Sequence, residues 1–458
     1  MRCCILVFYK NEALEAWPFY SNPRLFYKIT AIVHCPNCLS FGGTRAPSQF
    51  MNSPFKKSVL NAAVVISAIG YFVDIYDLII FNVVKKKSLE ALGYVGEAFK
   101  TQEIFLFNLQ MAGMLLGGLL WGILGDKRGR ASVLFGSILL YSLANIANAF
   151  VPNAEWYGVC RFIAGVGLAG ELGAGITLVV ESMDKESRGY GTMVIVSLGA
   201  LGAVAASQIG KVDWKLAYII GGVMGLLILL LRVASLESHM FKNMKNKEVN
   251  QGNFFMLFAN WDRFTRYLGC IVIGLPVWFV IGILIALSGR FTYHIGVSGE
   301  VSVADCVLYA YLGLSFGDLL SGLFSQWFRN RKKVILGYLI SNFILMMVYL
   351  FVRDISDTVF YFICFLLGAA TGYWALFVTV AAEQFGTNLR STVTNTVPNF
   401  VRGGVIPITL GFKYLSNTFL GDDILAALVV GLICIALATW GTWRVQETFG
   451  KDLDYIEE

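Results

Sequence analysis

The chain has 458 residues, of which 57% are hydrophobic and only 14% carry a charge, and its mean hydropathy is +0.65. Because soluble domains carry roughly 25% charged residues, this composition excludes an ordinary soluble protein and indicates a membrane protein. The formal net charge of +6 predicts basic loops on the cytoplasmic side of the membrane and does not indicate a nucleic-acid partner.

Residues 1–54 form an N-terminal extension that differs in composition from the rest of the chain and has no apolar run of signal-peptide length. Two interpretations remain open: a mis-assigned start upstream of Met51, or a disordered tail. The Cys-Pro-Asn-Cys stretch at 35–38 would need Cys3 and Cys4 to complete a zinc site, and adjacent cysteines match paired zinc knuckles poorly. We therefore predict no metal site.

About twelve apolar stretches follow, each close to the 20 residues that a transmembrane helix needs. Lone strands cannot satisfy their backbone hydrogen bonds in lipid, so the predicted fold class is an all-α membrane protein. The stretches lie near 59–84, 103–125, 131–150, 156–181, 189–210, 214–234, 264–289, 301–328, 334–352, 356–382, 391–416 and 421–443.

The first span carries two acids, Asp74 and Asp77, which stand three residues apart on one helical face. An ionised residue at mid-membrane costs roughly 2.5–3.5 kcal/mol on insertion scales. A helix-end charge that reaches water is the alternative interpretation, but an Asp side chain is too short to reach far. We predict that at least one of the two binds a proton.

The second span ends in a glycine-rich face, with glycines at 113, 117, 118 and 122, and continues into the charged turn 126–130. Glycines let a neighbouring helix approach closely in lipid, where no hydrophobic drive brings helices together. The charged turn indicates that the chain leaves the membrane at this point.

The fourth span carries Arg161 and, ten residues later, Glu171. Ten residues extend about 15 Å along a helix, so we do not expect these two to pair. We expect the partner of Glu171 in the first or fifth span, and we place Glu171 in an acidic, proton-coupling cluster with Asp74 and Asp77. An ion pair or polar packing without a transport role is the alternative.

The later spans contribute Arg402 and several polar or aromatic side chains. Arg402 either pairs with a carboxylate of the protein or binds an anionic substrate with its guanidinium fork. Asn395 and Asn399 lie four apart on the same helical face, and Trp278 and Tyr373 are candidates for a cavity wall. The predicted substrate-binding set is Asp77, Arg161, Glu171, Trp278, Tyr373, Asn395, Asn399 and Arg402.

Basic residues predict the topology. Twelve lysines and arginines lie in the loops 127–130, 242–266 and 329–333, all on one face of the bundle, against three lysines at 85–87 on the other. By the positive-inside rule the first face is cytoplasmic. Both termini of a twelve-span plasma-membrane protein (the inner membrane in a bacterium) then lie in the cytoplasm.

The body of the chain is duplicated. A shift of 204 residues places five residues of the glycine-rich stretch on identical residues of 317–323, and it places Asp126 on Asn330. A shift of 202 places Glu181 and Arg188 on Glu383 and Arg390. Two six-helix halves in parallel repeat follow from this, with predicted bounds of 55–236 and 263–445, a linker at 237–262 and a tail at 446–458.

These motifs carry a family resemblance. The stretch 122–130 resembles the signature loop of the major facilitator superfamily. The stretch 161–171, the paired Glu–Arg turns and the ending 447–453 resemble its sugar-porter, metabolite:proton symporter and phosphate:proton symporter branches. The first span resembles the phosphate symporters at 70–78, whereas 170–173 is closer to the metabolite:proton symporters. The resemblance implies a solute carrier, mostly monomeric in this family, that works by alternating access.

The resemblance also implies a cytoplasmic gate in which charged turns link the helices; solvated loop charge is the alternative. Asp126 is expected near Ser391, at the N-terminus of the eleventh span, where a helix dipole favours an anion. The expected gate residues are Gly122, Gly125, Asp126, Arg128, Gly129, Arg130, Glu181, Arg188, Glu383 and Arg390.

The sequence therefore predicts a secondary active transporter of a small polar metabolite, coupled to protons as a symporter. The alternatives are an uncoupled facilitator, a proton-driven exporter and a transporter-like receptor. No GxxxxGK[ST] loop indicates ATP-driven transport, no His lies in a predicted span to support an enzyme, and no cofactor is expected. An organic anion, phosphate, a sugar or a polyol all remain open as the substrate.

Overall fold

The computed structural model describes residues 62–128, 130–182, 188–236, 254–419, 421–450 and Glu457, and these are almost entirely helical. The predictions for the extension 1–54, for Gly129 and for most of the linker 237–262 lie outside the described residues. The same holds for the side chains of Asp126, Arg128, Arg130, Glu181 and Arg188.

The helices follow the twelve predicted apolar stretches. They are α1 (Ala62–Ala91), α2 (Gly96–Arg128), α3 (Arg130–Asn148), α4 (Ala154–Leu168), α5 (Glu171–Ser182), α6 (Arg188–Ile209), α7 (Trp214–Leu236), α8 (Trp261–Ile273), α9 (Leu275–Phe279), α10 (Ser288–Ile295), α11 (Val303–Phe328), α12 (Arg331–Phe351), α13 (Asp357–Thr371), α14 (Trp374–Gln384), α15 (Thr387–Gly403), α16 (Val405–Tyr414) and α17 (Asp423–Arg444). A 3-10 turn (Phe254–Phe258) and two π-helical segments (Val280–Ile285, Leu415–Phe419) complete the described elements.

The prediction of an all-α membrane protein is confirmed. Ten helical segments of the described residues are long and apolar enough to cross a membrane, and a shorter apolar helix covers Val133–Asn148. The eleventh predicted stretch is also helical, as α15 and α16, but α15 is rich in Thr and Asn. The exact bounds of the two halves stay a prediction.

Two spans are broken at equivalent places in the two halves. The fourth is interrupted between α4 and α5, at Ala169 and Gly170, and the tenth between α13 and α14, at Gly372 and Tyr373. The shift of 202 residues that aligns Glu181 with Glu383 also aligns Gly170 with Gly372. Gly372 lies directly on the backbone of Gly317 of α11 and leaves no room for a side chain. Each break places the N-terminus of a short helix inside the bundle, where it attracts an anion.

The glycine-rich face of α2 packs on two different helices. A Cβ at Gly113 or Gly117 would clash with carbonyl oxygens of α4, whereas one at Gly118 would lie 2.7 Å from the Cβ of Asn399 on α15. Gly122 lies close to Thr396, also on α15. The glycines therefore allow α2 to pack tightly on its own half and on the other half at once.

Gly113→Ala tests this close packing. The added methyl group must push α2 away from α4, and such overpacking costs about 1–3 kcal/mol. Gly337→Ala is the matched control because nothing lies within 4 Å of a Cβ at that helical glycine. There we expect unchanged or slightly raised stability, by about 0.5–1 kcal/mol. Thermal unfolding of both purified variants measures the contrast, and equal melting temperatures would refute the packing argument.

Candidate functional site

Helix α1 carries Asp74 and Asp77 into the centre of the bundle, where both are fully buried. None of their four carboxylate oxygens has a hydrogen-bond partner among the described residues. Each carboxylate instead lies near an arginine. The Oδ2 atom of Asp74 is 3.8 Å from Nη2 of Arg402, and Asp77 interacts electrostatically with Arg161. Charge compensation by a nearby arginine is thus the interaction that the two acids share.

Glu171 forms a two-pronged ion pair with Arg232 of α7. The Nη1 atom of Arg232 donates to Oε2 at 2.8 Å, and Nη2 contacts Oε1. The pair lies directly against Gly70 of α1, where any side chain would collide with it. The expectation of a partner in the first or fifth span is wrong: the partner belongs to the sixth predicted span, and the first span only packs on the pair.

Arg161 is fully buried, and its guanidinium has no hydrogen-bond acceptor in the described part of the chain. Its central carbon lies 5.4 Å from the ring centre of Phe81 and 5.7 Å from that of Tyr218. Aromatic faces stabilise a cation at such distances. Arg161 therefore balances the charge of Asp77 inside the first half and does not line the central cavity described below.

Arg402 is also fully buried, but part of its fork is unoccupied. Its Nη1 donates to Oδ1 of Asn399 at 3.2 Å, while Nε and Nη2 have no hydrogen-bond acceptor among the described residues. Asn399 in turn donates to the carbonyl of Ala169, at the break between α4 and α5, at 2.8 Å. The face of Trp374 lies 5.8 Å from the guanidinium carbon of Arg402. Arg402 is thus fixed in position yet retains two free donors.

A narrow central cavity of about 20 Å³ lies beside Arg402, which is room for little more than a water molecule. Trp278 and Trp374 meet edge to face in its wall, with ring centres 6.3 Å apart. These side chains are almost fully buried, so the cavity is closed. The lining residues are Tyr71, Ile75, Val196, Ala200, Val277, Trp278, Ile281, Tyr311, Leu314, Trp374 and Arg402.

Of the predicted substrate-binding residues, Trp278 and Arg402 line this cavity. Tyr373 does not: its hydroxyl donates to the carbonyl of Ile273 at 2.8 Å, which makes it a packing residue. Asn395 packs closely on Gly173 of α5, and Asn399 bridges two helices. Asp77, Arg161 and Glu171 lie buried in the first half, outside the lining.

The sequence reasoning missed two buried charges. Arg232 lies near the end of the sixth predicted span, after a long apolar run, and was not considered as a site residue. Asp318 of α11 is fully buried, and its Oδ1 accepts the backbone N–H of Ala375 at 2.9 Å, at the N-terminus of α14. An acid in the middle of a predicted span is a signal that could have identified Asp318. Asp318 and Glu171 thus stand at the two equivalent helix breaks.

One end of the bundle is closed by a buried ion cluster, and we call it the Lys85 end. Lys85 pairs with Glu103 at 2.7 Å and donates to the carbonyl of Ala286 at 2.9 Å, and Arg290 contacts Glu103 at 3.4 Å. These contacts link α1 and α2 to the second half. Lys85 is therefore a paired charge inside the protein, which explains why it departs from the loop-charge pattern.

The opposite end, which we call the Arg331 end, holds the described part of the expected gate. Arg331 pairs with Glu383 at 2.8 Å, and Glu447 accepts the backbone N–H groups of Arg331 and Lys332 at 3.0 Å each. Arg390 is buried at the start of α15, and Gly125 is buried on α2. The first-half gate side chains lie outside the described side chains, so the complete gate stays a prediction.

A closed, charged cavity between two six-helix halves is typical of a membrane carrier for small solutes. Residues 67–409 match the family model of the Major Facilitator Superfamily, which is more than half of the chain. The chain belongs to the Major Facilitator Superfamily and is a multi-pass transporter of small metabolites.

Similar proteins include two curated bacterial transporters. The putative niacin/nicotinamide transporter NiaP of Bacillus subtilis is 24% identical over 398 residues, which cover 81% of this chain and 94% of the relative. The niacin transporter NiaP of Acinetobacter baylyi is 26% identical over 395 residues, which cover 77% of this chain and 87% of the relative. The solved structure of the proton:xylose symporter XylE shares the fold, with a TM-score of 0.66 and 15% identity. The match covers 86% of this chain and 97% of XylE.

The Glu171–Arg232 pair yields a stability prediction. Arg232→Met leaves a buried carboxylate without its cation, which costs about 3–5 kcal/mol. Adding Glu171→Met removes the stranded charge and should recover most of that loss. Thermal unfolding of the two single variants and the double variant measures this. A single Arg232→Met variant as stable as the wild type would contradict the paired geometry.

Proposed function

We propose that the protein is a secondary active transporter that carries a small aromatic carboxylate together with a proton. The observation that carries this proposal is Arg402, whose two free donors lie beside a cavity of aromatic rings and within charge-pairing distance of Asp74. The other features of the bundle bear on how the substrate is recognised, how the proton is coupled and how the cavity opens.

The cavity wall matches the chemistry of an aromatic acid. A guanidinium fork binds a planar carboxylate with two parallel hydrogen bonds, and the rings of Trp278, Trp374, Tyr71 and Tyr311 provide apolar, edge-to-face packing for a flat substrate. Niacin is such an aromatic carboxylate, and the names of both relatives include it. Nicotinamide differs from niacin only by replacing the carboxylate with an uncharged amide, so it tests the role of the charge.

Competition for Arg402 provides the coupling. An ionised Asp74 offsets the buried charge of Arg402, and in that state a substrate carboxylate would add an uncompensated anion to a low-dielectric site. When Asp74 takes up a proton, the guanidinium can accept the substrate carboxylate instead, and the local charge stays balanced. Substrate and proton therefore bind together. Asp77, with Arg161 nearby, is a further acid of the proton-coupling cluster, whereas Glu171 is held in its two-pronged pair with Arg232.

Contacts across the two halves at both ends support alternating access. The Lys85–Glu103–Arg290 cluster closes one end. Towards the other end, the hydroxyls of Thr192 and Thr379 meet at 2.9 Å. Opening each end in turn would expose the cavity to one side only. We place the Arg331 end in the cytoplasm because of its basic loops, with both termini on that side of the plasma membrane.

Asp74→Asn separates coupled transport from facilitated transport. The variant cannot bind or release the proton, so we expect it to lose accumulation of radiolabelled nicotinate or benzoate driven by an imposed pH gradient in proteoliposomes. Exchange of labelled for unlabelled substrate across the membrane should persist. Asp213→Asn, at an exposed N-cap where Asn also caps, is the control. Gradient-driven accumulation by Asp74→Asn at the wild-type level would instead favour an uncoupled facilitator or coupling through another group.

Arg402→Gln tests recognition of the carboxylate. Loss of a charged hydrogen bond of about 1.5–3 kcal/mol should weaken nicotinate binding roughly 10- to 100-fold and leave nicotinamide binding little changed. Arg353→Gln, at an exposed position, is the control. Calorimetric titration of the purified proteins measures both ligands. A preserved preference for the acid in Arg402→Gln would contradict the proposed role.

A further inference from the structure

A second concave surface lies on the outside of the second half, between α11, α12 and α13. It is a groove of about 600 Å³ lined mainly by apolar side chains and by small residues that leave it open. A Cβ at Gly337, on its floor, would have no neighbour within 4 Å. The surrounding helix surface is exposed and apolar, as at Phe316, Leu323, Ile340 and Ile344. The groove therefore faces the hydrocarbon of the bilayer.

The mouth of the groove is basic and aromatic. Lys333 lines it where α12 begins, and neither Lys333 nor the neighbouring Arg329 forms an ion pair within the described residues. Trp327 is 76% exposed beside them and stacks on Phe328. Trp together with Lys or Arg at a helix end is typical of the membrane–water interface. The groove thus runs from the headgroup level into the apolar layer.

The first half packs a large side chain between its three equivalent helices, α2, α3 and α4. The repeat shift of 204 residues places Trp121 of α2 on Ser325 of α11. The indole of Trp121 donates to the carbonyl of Val166 at 2.6 Å, and its ring would lie 3.0 Å from a Cβ at Gly136 of α3. The equivalent Ser325 of the second half is small and lies outside the groove lining, so no indole ring stands between α11, α12 and α13 at that position.

We propose that this groove binds one acyl chain of an anionic phospholipid, with the headgroup phosphate held by Lys333 and Arg329. The apolar lining matches a lipid chain, and unpaired cations at the interface attract anionic headgroups. A zwitterionic phospholipid would fill the same volume, but the ammonium of its headgroup offsets the phosphate and weakens its attraction to the two cations. The basic mouth therefore selects the anionic lipid.

The occupant would lie directly behind the wall of the central cavity. Tyr338, on the floor of the groove, donates its hydroxyl to the carbonyl of Gly317 at 2.8 Å, and its ring centre lies 6.0 Å from that of Tyr373. Tyr373 belongs to the break in the tenth span, and the next residue, Trp374, lines the cavity. The groove is thus connected to the cavity through one helix break.

Native mass spectrometry of the full chain, released from nanodiscs of phosphatidylcholine with a minor fraction of phosphatidylglycerol, tests the proposal. We expect the wild type to retain phosphatidylglycerol in preference to phosphatidylcholine. Lys333→Gln should reduce that retention roughly fivefold, as expected for one interfacial cation. Lys86→Gln, an exposed lysine at the Lys85 end, should leave it unchanged.

Filling the groove tests the acyl chain separately from the charge. Gly337→Phe and Ser341→Phe place a ring in the open space and should abolish preferential retention, whereas Val348→Phe, exposed on the same helix, should not. Two filling variants keep the test valid if one of them misfolds, as judged by gel filtration. Equal retention of the two lipids by the wild type would overturn the proposal. Undiminished retention in a folded filling variant, as expected if a segment of the chain itself covers the groove, would also overturn it.

Discussion

Pairing of buried charge is the constraint on which the rest of this structure depends. A charge in a low-dielectric interior is costly unless an opposite charge compensates for it. The bundle buries Asp74, Asp77 and Glu171 near its centre, and each has an arginine close by. The pairings differ in strength. Glu171 and Arg232 are joined by two hydrogen bonds, whereas Asp74 and Arg402 face each other at 3.8 Å without one.

That difference separates a structural pair from an exchangeable one. A two-pronged pair resists substitution by a ligand, because both partners already have their hydrogen bonds. A looser pair with unused donors accepts a new anion when its own acid is neutralised. In the proposed mechanism the Asp74–Arg402 pair is therefore the working element. The Glu171–Arg232 pair and the buried Asp318 cap anchor the two broken spans around it.

The sequence predicted much of the fold because its strongest signals are local. Apolar runs located the helices. The breaks at Gly170 and Gly372 were not predicted, although the repeat aligns these two glycines. Isolated charges in apolar runs identified Asp74 and Arg402. Arg232 was missed because a cation at the end of a span has the same pattern as a topology signal.

The cavity wall could not be predicted in the same way. Aromatic residues are common in membrane helices, and only the rotation and packing of each helix decide which rings face the centre. Tyr373 was therefore selected although it packs on a backbone carbonyl, whereas Tyr71 and Tyr311, which do line the cavity, were not. Such orientations depend on contacts between helices that are distant in sequence.

The central claim is that a proton on Asp74 replaces the charge that a substrate carboxylate brings to Arg402. Calorimetric titration of the purified protein with nicotinate, in buffers of different ionisation enthalpy, measures this directly. The account predicts that binding takes up a proton from the buffer, so that the apparent enthalpy changes with the buffer, and that Asp74→Asn removes this dependence while binding persists. Binding by the wild type with the same enthalpy in every buffer would contradict it.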